Sequence, residues 1–241
     1  MAKAHFILQG RGGVGKTLVA VMLAQALASM GRAPTSIDTD PVNATFSGYA
    51  ALDVQRLEIM EDDEINPRSF DRLVEMIDAA KGDVVVDNGA SSFVPLSHFL
   101  ISNRVPSLLT EMGHQLVVHV VIAGAQSLLD TIHGFAQLAK QFPLDAAFVV
   151  WLNPYYGPIE HEGKSFEQMK AYVANKDRVS AIVRLPALKK ETYGRDLADI
   201  LQARLTFDEA LASGALTIMT RQRLKIIRDQ VFGQIASAAV I

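Results

Sequence analysis

The sequence predicts an α/β protein, a doubly wound and mostly parallel sheet with helices on both faces. Two observations carry this. Apolar runs of strand length alternate with stretches of helical spacing along the whole chain. The runs are nearly continuous, as expected of strands covered on both sides. Second, a glycine-rich loop, Gly10-Arg11-Gly12-Gly13-Val14-Gly15-Lys16-Thr17, joins the first strand-like run to the first helical one. Such sheets hold their ligands at the carboxyl ends of the strands.

The elements follow in order. Ala4–Gln9 reads as the first strand, and Lys16–Met30 as a helix stopped by Gly31. Thr35–Asp38 is a short strand after Pro34. Ser69–Ala80 has helical spacing through Phe70, Leu73, Val74 and Ile77. Asp83–Val86 is a buried strand. The stretch 92–112 is helical but broken by Pro95 and Pro106. Leu116–Ile122 is a strand, Ser127–Gln141 a helix and Ala146–Leu152 a strand. Ser165–Val173 reads as a helix and Ser180–Leu185 as a strand ending at Pro186. From about Tyr193 onward the pattern is helical. With no repeat, low-complexity tract or linker, residues 1–241 read as one domain. The Pro/Gly-rich piece 153–163 looks like a functional loop.

Composition excludes several classes. At 241 residues and 49% hydrophobic content the chain can bury a substantial core. The net charge of −3 gives no global pull toward nucleic acid. Absence of cysteine excludes disulfides and thiolate chemistry. The N-terminus lacks a secretory apolar segment, and Leu116–Ala123 is too short to span a bilayer. The expectation is a cytoplasmic protein without stable membrane insertion.

The loop at 10–17 fits G-x-x-x-x-G-K-[ST]. Glycines let backbone N–H groups converge on an anion, and the following helix aims its positive end at the same place. Lys16 would reach the terminal phosphates of a nucleotide, and Thr17 would bind Mg²⁺. The same glycines satisfy G-x-G-x-x-G, with Asp38 near the offset of a ribose-binding acid, so an NAD enzyme is an alternative. Lys16 and Thr17 argue against it, because a pyrophosphate resting on amides needs neither.

Two acidic segments follow. Asp38 and Asp40 alternate at the end of the second strand, near enough to a bound triphosphate to serve Mg²⁺ and an attacking water. Asp40-Pro41 also suits a polar turn. Val84-Val85-Val86 ends in Asp87, a Walker B pattern whose carboxylate binds Mg²⁺. Asn88 to Ser92 then form a loop placed to sense a γ-phosphate.

With these residues the chain resembles the deviant-Walker-A ATPases of the ParA/MinD family. Asp38-Thr39-Asp40-Pro41 with Asn43-Ala44-Thr45 is similar to their first switch segment. Within the family the chain looks most like TraL-type proteins of plasmid conjugal-transfer operons. The resemblance implies two monomers sandwiching two ATP molecules, with slow, partner-stimulated hydrolysis releasing the homodimer. It implies that Gly12, Gly13, Val14, Gly15, Lys16, Thr17 and Leu18 bind nucleotide. It makes Asn153 the adenine contact, and Pro186 part of the base-binding loop. Asp40 would orient the water, while Asp38 and Asp87 support the metal with Thr17. Where the family has a lysine the chain has Arg11, expected to act on the partner's phosphates. Arginine keeps the charge and adds a bidentate fork.

ATP is preferred to GTP, since Asn175-Lys176-Asp177 misplaces the acid of a guanine-reading motif. Tyr155 and Tyr156 could stack on the base or on a partner, but read first as cover for a loop. Arg221, Arg223, Lys225 and Arg228 lie along a C-terminal helix whose other stripe is apolar. A helix packed on the sheet is the plain reading, with non-specific DNA binding or membrane docking as sharper ones; the partners expected of the protein are DNA or a transfer-machinery protein. The six histidines show no metal-ligand spacing. A metabolic ATP-dependent enzyme of dethiobiotin-synthetase type, and a nucleotide-binding module without turnover, remain alternatives.

Overall fold

The computed structural model describes residues 1–241. Its strands are β1 (Ala2–Ile7), β2 (Thr35–Asp38), β3 (Gln55–Arg56), the hairpin β4 (Met60–Glu61) and β5 (Glu64–Ile65), β6 (Val84–Asp87), β7 (His114–Ala123), β8 (Ala147–Asn153), the hairpin β9 (Glu160–His161) and β10 (Lys164–Ser165), and β11 (Val179–Arg184). The helices are α1 (Lys16–Ser29), α2 (Ser69–Asp78), α3 (Phe93–Ser102), α4 (Val105–Glu111), α5 (Leu128–Gln141), α6 (Lys170–Asn175), α7 (Arg195–Gln202), α8 (Phe207–Ala212) and α9 (Ile218–Ser237).

Seven strands form one sheet in the order β11-β8-β7-β1-β6-β2-β3, and every pairing in it is parallel. From β1 the chain builds outward to β2 and β3, returns to insert β6, then builds the other way through β7, β8 and β11. Direction therefore reverses beside β1, the position where doubly wound sheets open a ligand crevice.

Alternating residues feed two cores. Phe6, Val86, Val118 and Phe148 face the layer of α2 to α5. Ile7, Val85, Val117 and Val149 face the layer of α1 and α7 to α9. Helix α1 is apolar nearly all round, which fits its burial against the sheet and against α9. It ends as expected at Gly31, whose φ of +75° suits glycine. Gly31 N–H donates to Ala28 and Arg32 N–H to Leu27, the paired bonds of a Schellman stop.

Three expectations are corrected. Pro95 does not break a helix. It sits in the first turn of α3, where the missing N–H has no intrahelical partner to lose. The break falls at Arg104, whose φ is +52°. Ser165–Val173 is not one helix but a 3₁₀ turn at Phe166–Gln168, then α6, separated by an extended Met169. That kink lets both Phe166 and Met169 enter the core. The third concerns β3 and the two hairpins. They are two-residue strands without their own apolar pattern, and they are absent from the sequence reading.

One polar chain crosses the α1 side of the sheet. Trp151 Nε1 donates to His119 Nδ1 at 2.8 Å, and His119 Nε2 lies 2.9 Å from His5 Nδ1. An indole N–H can only donate, so a neutral His119 carries its proton on Nε2 and donates it in a hydrogen bond to His5 Nδ1. His5 is left with its proton on Nε2, which is buried without a partner.

Candidate nucleotide site

The carboxyl ends of β1, β6 and β2 stand side by side, with Ile7, Asp87 and Asp38 in register. Beyond β1 the loop 10–15 curls back into α1. Gly13 has φ +73° and Gly15 +101°, conformations strained for any side chain. A Cβ on Gly15 would lie 2.8 Å from Asn153 Nδ2. The first turn of α1 carries no acid to compete for its amides. Gly10, Arg11, Gly12 and Gly13 are exposed, whereas Val14 and Lys16 are buried.

Lys16 Nζ donates to the Arg11 carbonyl at 3.2 Å. Burial lowers its pKa, and the nearby Asp87 and Asp40 carboxylates pull it back up. These three groups thus share one electrostatic site. Asp87 is buried, and burial pushes its carboxyl up to about 7, against the Thr17 hydrogen bond and with help from Asp38. Its Oδ1 has no hydrogen-bond partner. An orphaned carboxylate oxygen beside the Thr17 hydroxyl fits a hydrated Mg²⁺. No cage of three or more acids or histidines exists. Mg²⁺ needs none, since it commonly takes one or two protein oxygens with water and phosphate.

Asp38 and Asp40 differ in environment. Asp38 is fully buried and accepts the N–H groups of Asp40 at 3.0 Å and Ser47 at 2.9 Å. Both its oxygens therefore shape the 39–47 loop. Asp40 is partly exposed and accepts from Val42 and Asn43, the polar turn that Asp40-Pro41 suits. It presses on Gly89, where a Cβ would come within 2.7 Å of Asp40 Oδ1. The loops after β2 and β6 are thus in contact. Thr39 Oγ1, donating to the Asp87 carbonyl at 3.0 Å, ties them further.

Arg11 reaches Asp130 on α5 at 3.3 Å, with both side chains about half exposed. Such a pair holds weakly and leaves the guanidinium accessible.

A cavity of about 1010 Å³ opens beside the loop, lined by Gly15, Leu18, Asn153, Tyr156, Leu185 and Pro186 among others. The structure therefore brings Asn153 and Pro186 together with Leu18 around this cavity. Asn153 Nδ2 donates to the Val14 carbonyl at 2.9 Å. The sequence reading weighed Tyr156 against the base but not against the phosphate loop. Read as loop cover, it donates its hydroxyl to the Gly13 carbonyl at 3.1 Å. Only its place two residues past the Asn153-Pro154 turn pointed to the site.

Two of the four cations of the α9 stripe are paired, while Arg221 and Lys225 have no acidic partner. Arg223 pairs with Asp196, and Arg228 with Asp208 and Asp229. Leu224, Ile227, Val231 and Ile235 are buried, so the helix packs on the sheet as its plain reading holds. No helix is long and apolar enough to cross a membrane.

The buried groups set a pH dependence. Burial holds His119 at about 3, and burial with the neighbouring His119 holds His5 well below 6.5. The unfolded chain protonates both below 6.5, so folding carries no penalty above that value and a growing one beneath it. Asp87 has the opposite sign. Between about 7 and 3.8 its folded carboxyl keeps a proton that the unfolded one has lost. Two imidazoles against one carboxyl leave about one proton taken up on unfolding, or about 1.4 kcal/mol per pH unit. Urea denaturation should show stability falling by about that much from pH 6 to pH 5. A flat profile would contradict the assignment.

The parallel sheet, the reversal beside β1 and the glycine loop ahead of α1 define a P-loop nucleotide-binding fold. The chain belongs to the CobQ/CobB/MinD/ParA nucleotide binding domain family, whose model matches residues 5–197. Two Escherichia coli proteins named TraL are each 68% identical to it over 241 residues, covering 100% of both chains. Among solved structures, the MinD cell division protein of Aquifex aeolicus superposes with a TM-score of 0.55 at 17% identity, over 96% of this chain and 97% of that one. The septum site-determining protein MinD of Pyrococcus horikoshii, complexed with Mg-ADP, gives 0.53 at 16% identity over 100% of both. These two likenesses concern the fold.

Proposed function

We propose that the protein is a slowly hydrolysing Mg-ATP switch that dimerises with ATP bound, acting in plasmid conjugal transfer. The observation that carries the reading is the buried Asp87 oxygen left unpaired beside Thr17, in register with Asp38 and within the field of Lys16. Family membership and the TraL relatives support it. In this reading the amides of residues 12–17 and the Lys16 ammonium bind the phosphates. Thr17 and Asp87 hold Mg²⁺, which neutralises charge on the phosphates. Asp40, partly exposed and held by its own turn, orients the attacking water. Asn153 and Pro186 border the base, and residues 1–241 act as one domain.

Arg11 completes the site from the second subunit. Its accessible position supports this. So do exposed apolar residues just past the carboxyl ends of the strands, Val42 in the loop after β2 and Val94 and Leu129 in the first turns of α3 and α5. Light scattering tests the switch. The protein should be monomeric with Mg-ADP and dimeric with a non-hydrolysable ATP analogue. Arg11→Ala should stay monomeric with the analogue, and Arg11→Lys should still dimerise. A wild type monomeric in both nucleotides would sink the switch, and a dimeric Arg11→Ala would sink the role in trans.

A further inference from the structure

The connection after β8 is clamped at both ends. At its start Asn153 donates to Val14, and its Oδ1 accepts the Tyr155 N–H at 3.2 Å. At its end Gly157, with φ +147°, presses on Gly124 so closely that a Cβ on Gly124 would come 2.2 Å from the Gly157 carbonyl oxygen. The Gly157 N–H also closes the turn onto Pro154 at 3.0 Å. Tyr156 is carried between these anchors. Its ring stands edge-on to Tyr155 at 4.9 Å, and its hydroxyl meets Gly13.

That contact has a geometric consequence. In a planar trans peptide the carbonyl of one residue and the N–H of the next point in opposite directions. A donor that holds the Gly13 carbonyl turned outward therefore turns the Val14 N–H inward. Asn153 does the same to the next peptide, so the Gly15 N–H also faces in. Successive inward amides are what make such a loop concave toward an anion. Gly13 and Gly15, both at positive φ, have no side chain with which to fix these planes.

We propose that Tyr156 is a positioning residue for the phosphate loop, its hydroxyl locking the Gly13–Val14 peptide so that the Val14 N–H meets a nucleotide phosphate. The inference rests on the nucleotide reading above. Tyr156 touches the loop and not the phosphates, and it acts through the peptide it holds. The effect must therefore follow the phosphates of a ligand and not its base.

Tyr156→Phe keeps the ring and removes the hydroxyl, which is exposed enough that folding does not depend on it. Displacement of a fluorescent ATP analogue would measure affinities for Mg-ATP, tripolyphosphate and adenosine, alongside the nucleotide-free melting temperature. Mg-ATP and tripolyphosphate should bind about three- to tenfold more weakly, as expected for one lost hydrogen bond. Adenosine binding and the melting temperature should not change. Equal weakening of adenosine would make Tyr156 a base contact and overturn the proposal, as would unchanged affinity for Mg-ATP. A wild type that binds none of the three would overturn the nucleotide reading itself, a result distinct from either.

Discussion

Replacing Lys16 with Ala is expected to weaken ATP binding by several orders of magnitude without destabilising the nucleotide-free protein. Lys16 is only 8% exposed, and the one hydrogen-bond partner of its ammonium in the fold is the Arg11 carbonyl. A cation kept from water by one neutral acceptor does not stabilise the chain. Its role lies with the ligand. A hydrogen bond from a charged group is worth about 1.5–3 kcal/mol, so losing contacts to two phosphates weakens binding about 10²- to 10⁴-fold. Loss of the ammonium also removes an opposing charge from Asp87, whose carboxyl is already raised to about 7 by burial. Protonated Asp87 is a poorer oxygen donor to Mg²⁺, which deepens the loss near neutral pH. The melting temperature without nucleotide should hold or rise, and the increase given by Mg-ATP should vanish. A variant that melts much earlier on its own would show that Lys16 is structural. One that keeps the ATP-induced increase would remove it from the phosphate site.

How much of this was readable beforehand follows from the range of each interaction. The loop at 10–17 is local chemistry, because glycine conformations, the helix start and the lysine all lie within eight consecutive residues. Asp87 is legible from its order after that loop and its place at a strand end. The pairing of Asp38 with Asp87 needed only the parallel topology. Other features depend on register across the sheet, which no local pattern encodes. His5 and His119 lie 114 positions apart and meet because His119 pairs with Ile7, two residues along β1 from His5 and on the same face. Read singly, they are scattered histidines. Gln55 and Arg56 become a strand only because the edge of β2 is open to them. Tyr156 belongs to the same group, since its partner Gly13 is 143 residues away. A tyrosine in a polar loop carries no sign of which distant carbonyl it will reach.

Trp151 is the one tryptophan of the chain, fully buried on β8, and its replacement by Phe should cost about 2–4 kcal/mol of stability. The smaller ring leaves a void against α1 and α9. Polar loss adds to it. Without the indole N–H, His119 Nδ1 has no donor. A switch of tautomer puts a proton there with no acceptor and strips the one from His5 Nε2. Either arrangement leaves both ends of the imidazole pair unsatisfied in a buried layer where only one end was before. An unsatisfied buried group costs about 1–3 kcal/mol, a large share of the ~5–15 kcal/mol that holds a domain together. The cavity and the orphaned imidazole can be separated by a double-mutant cycle. In a His119→Leu background no imidazole nitrogen remains to be orphaned at that point, so Trp151→Phe should cost clearly less there than in the wild type. Urea denaturation followed by circular dichroism reads both costs, since the variant has lost its fluorophore. Equal costs in the two backgrounds would mean that the indole N–H contributes nothing to the fold and that Trp151 acts by volume alone.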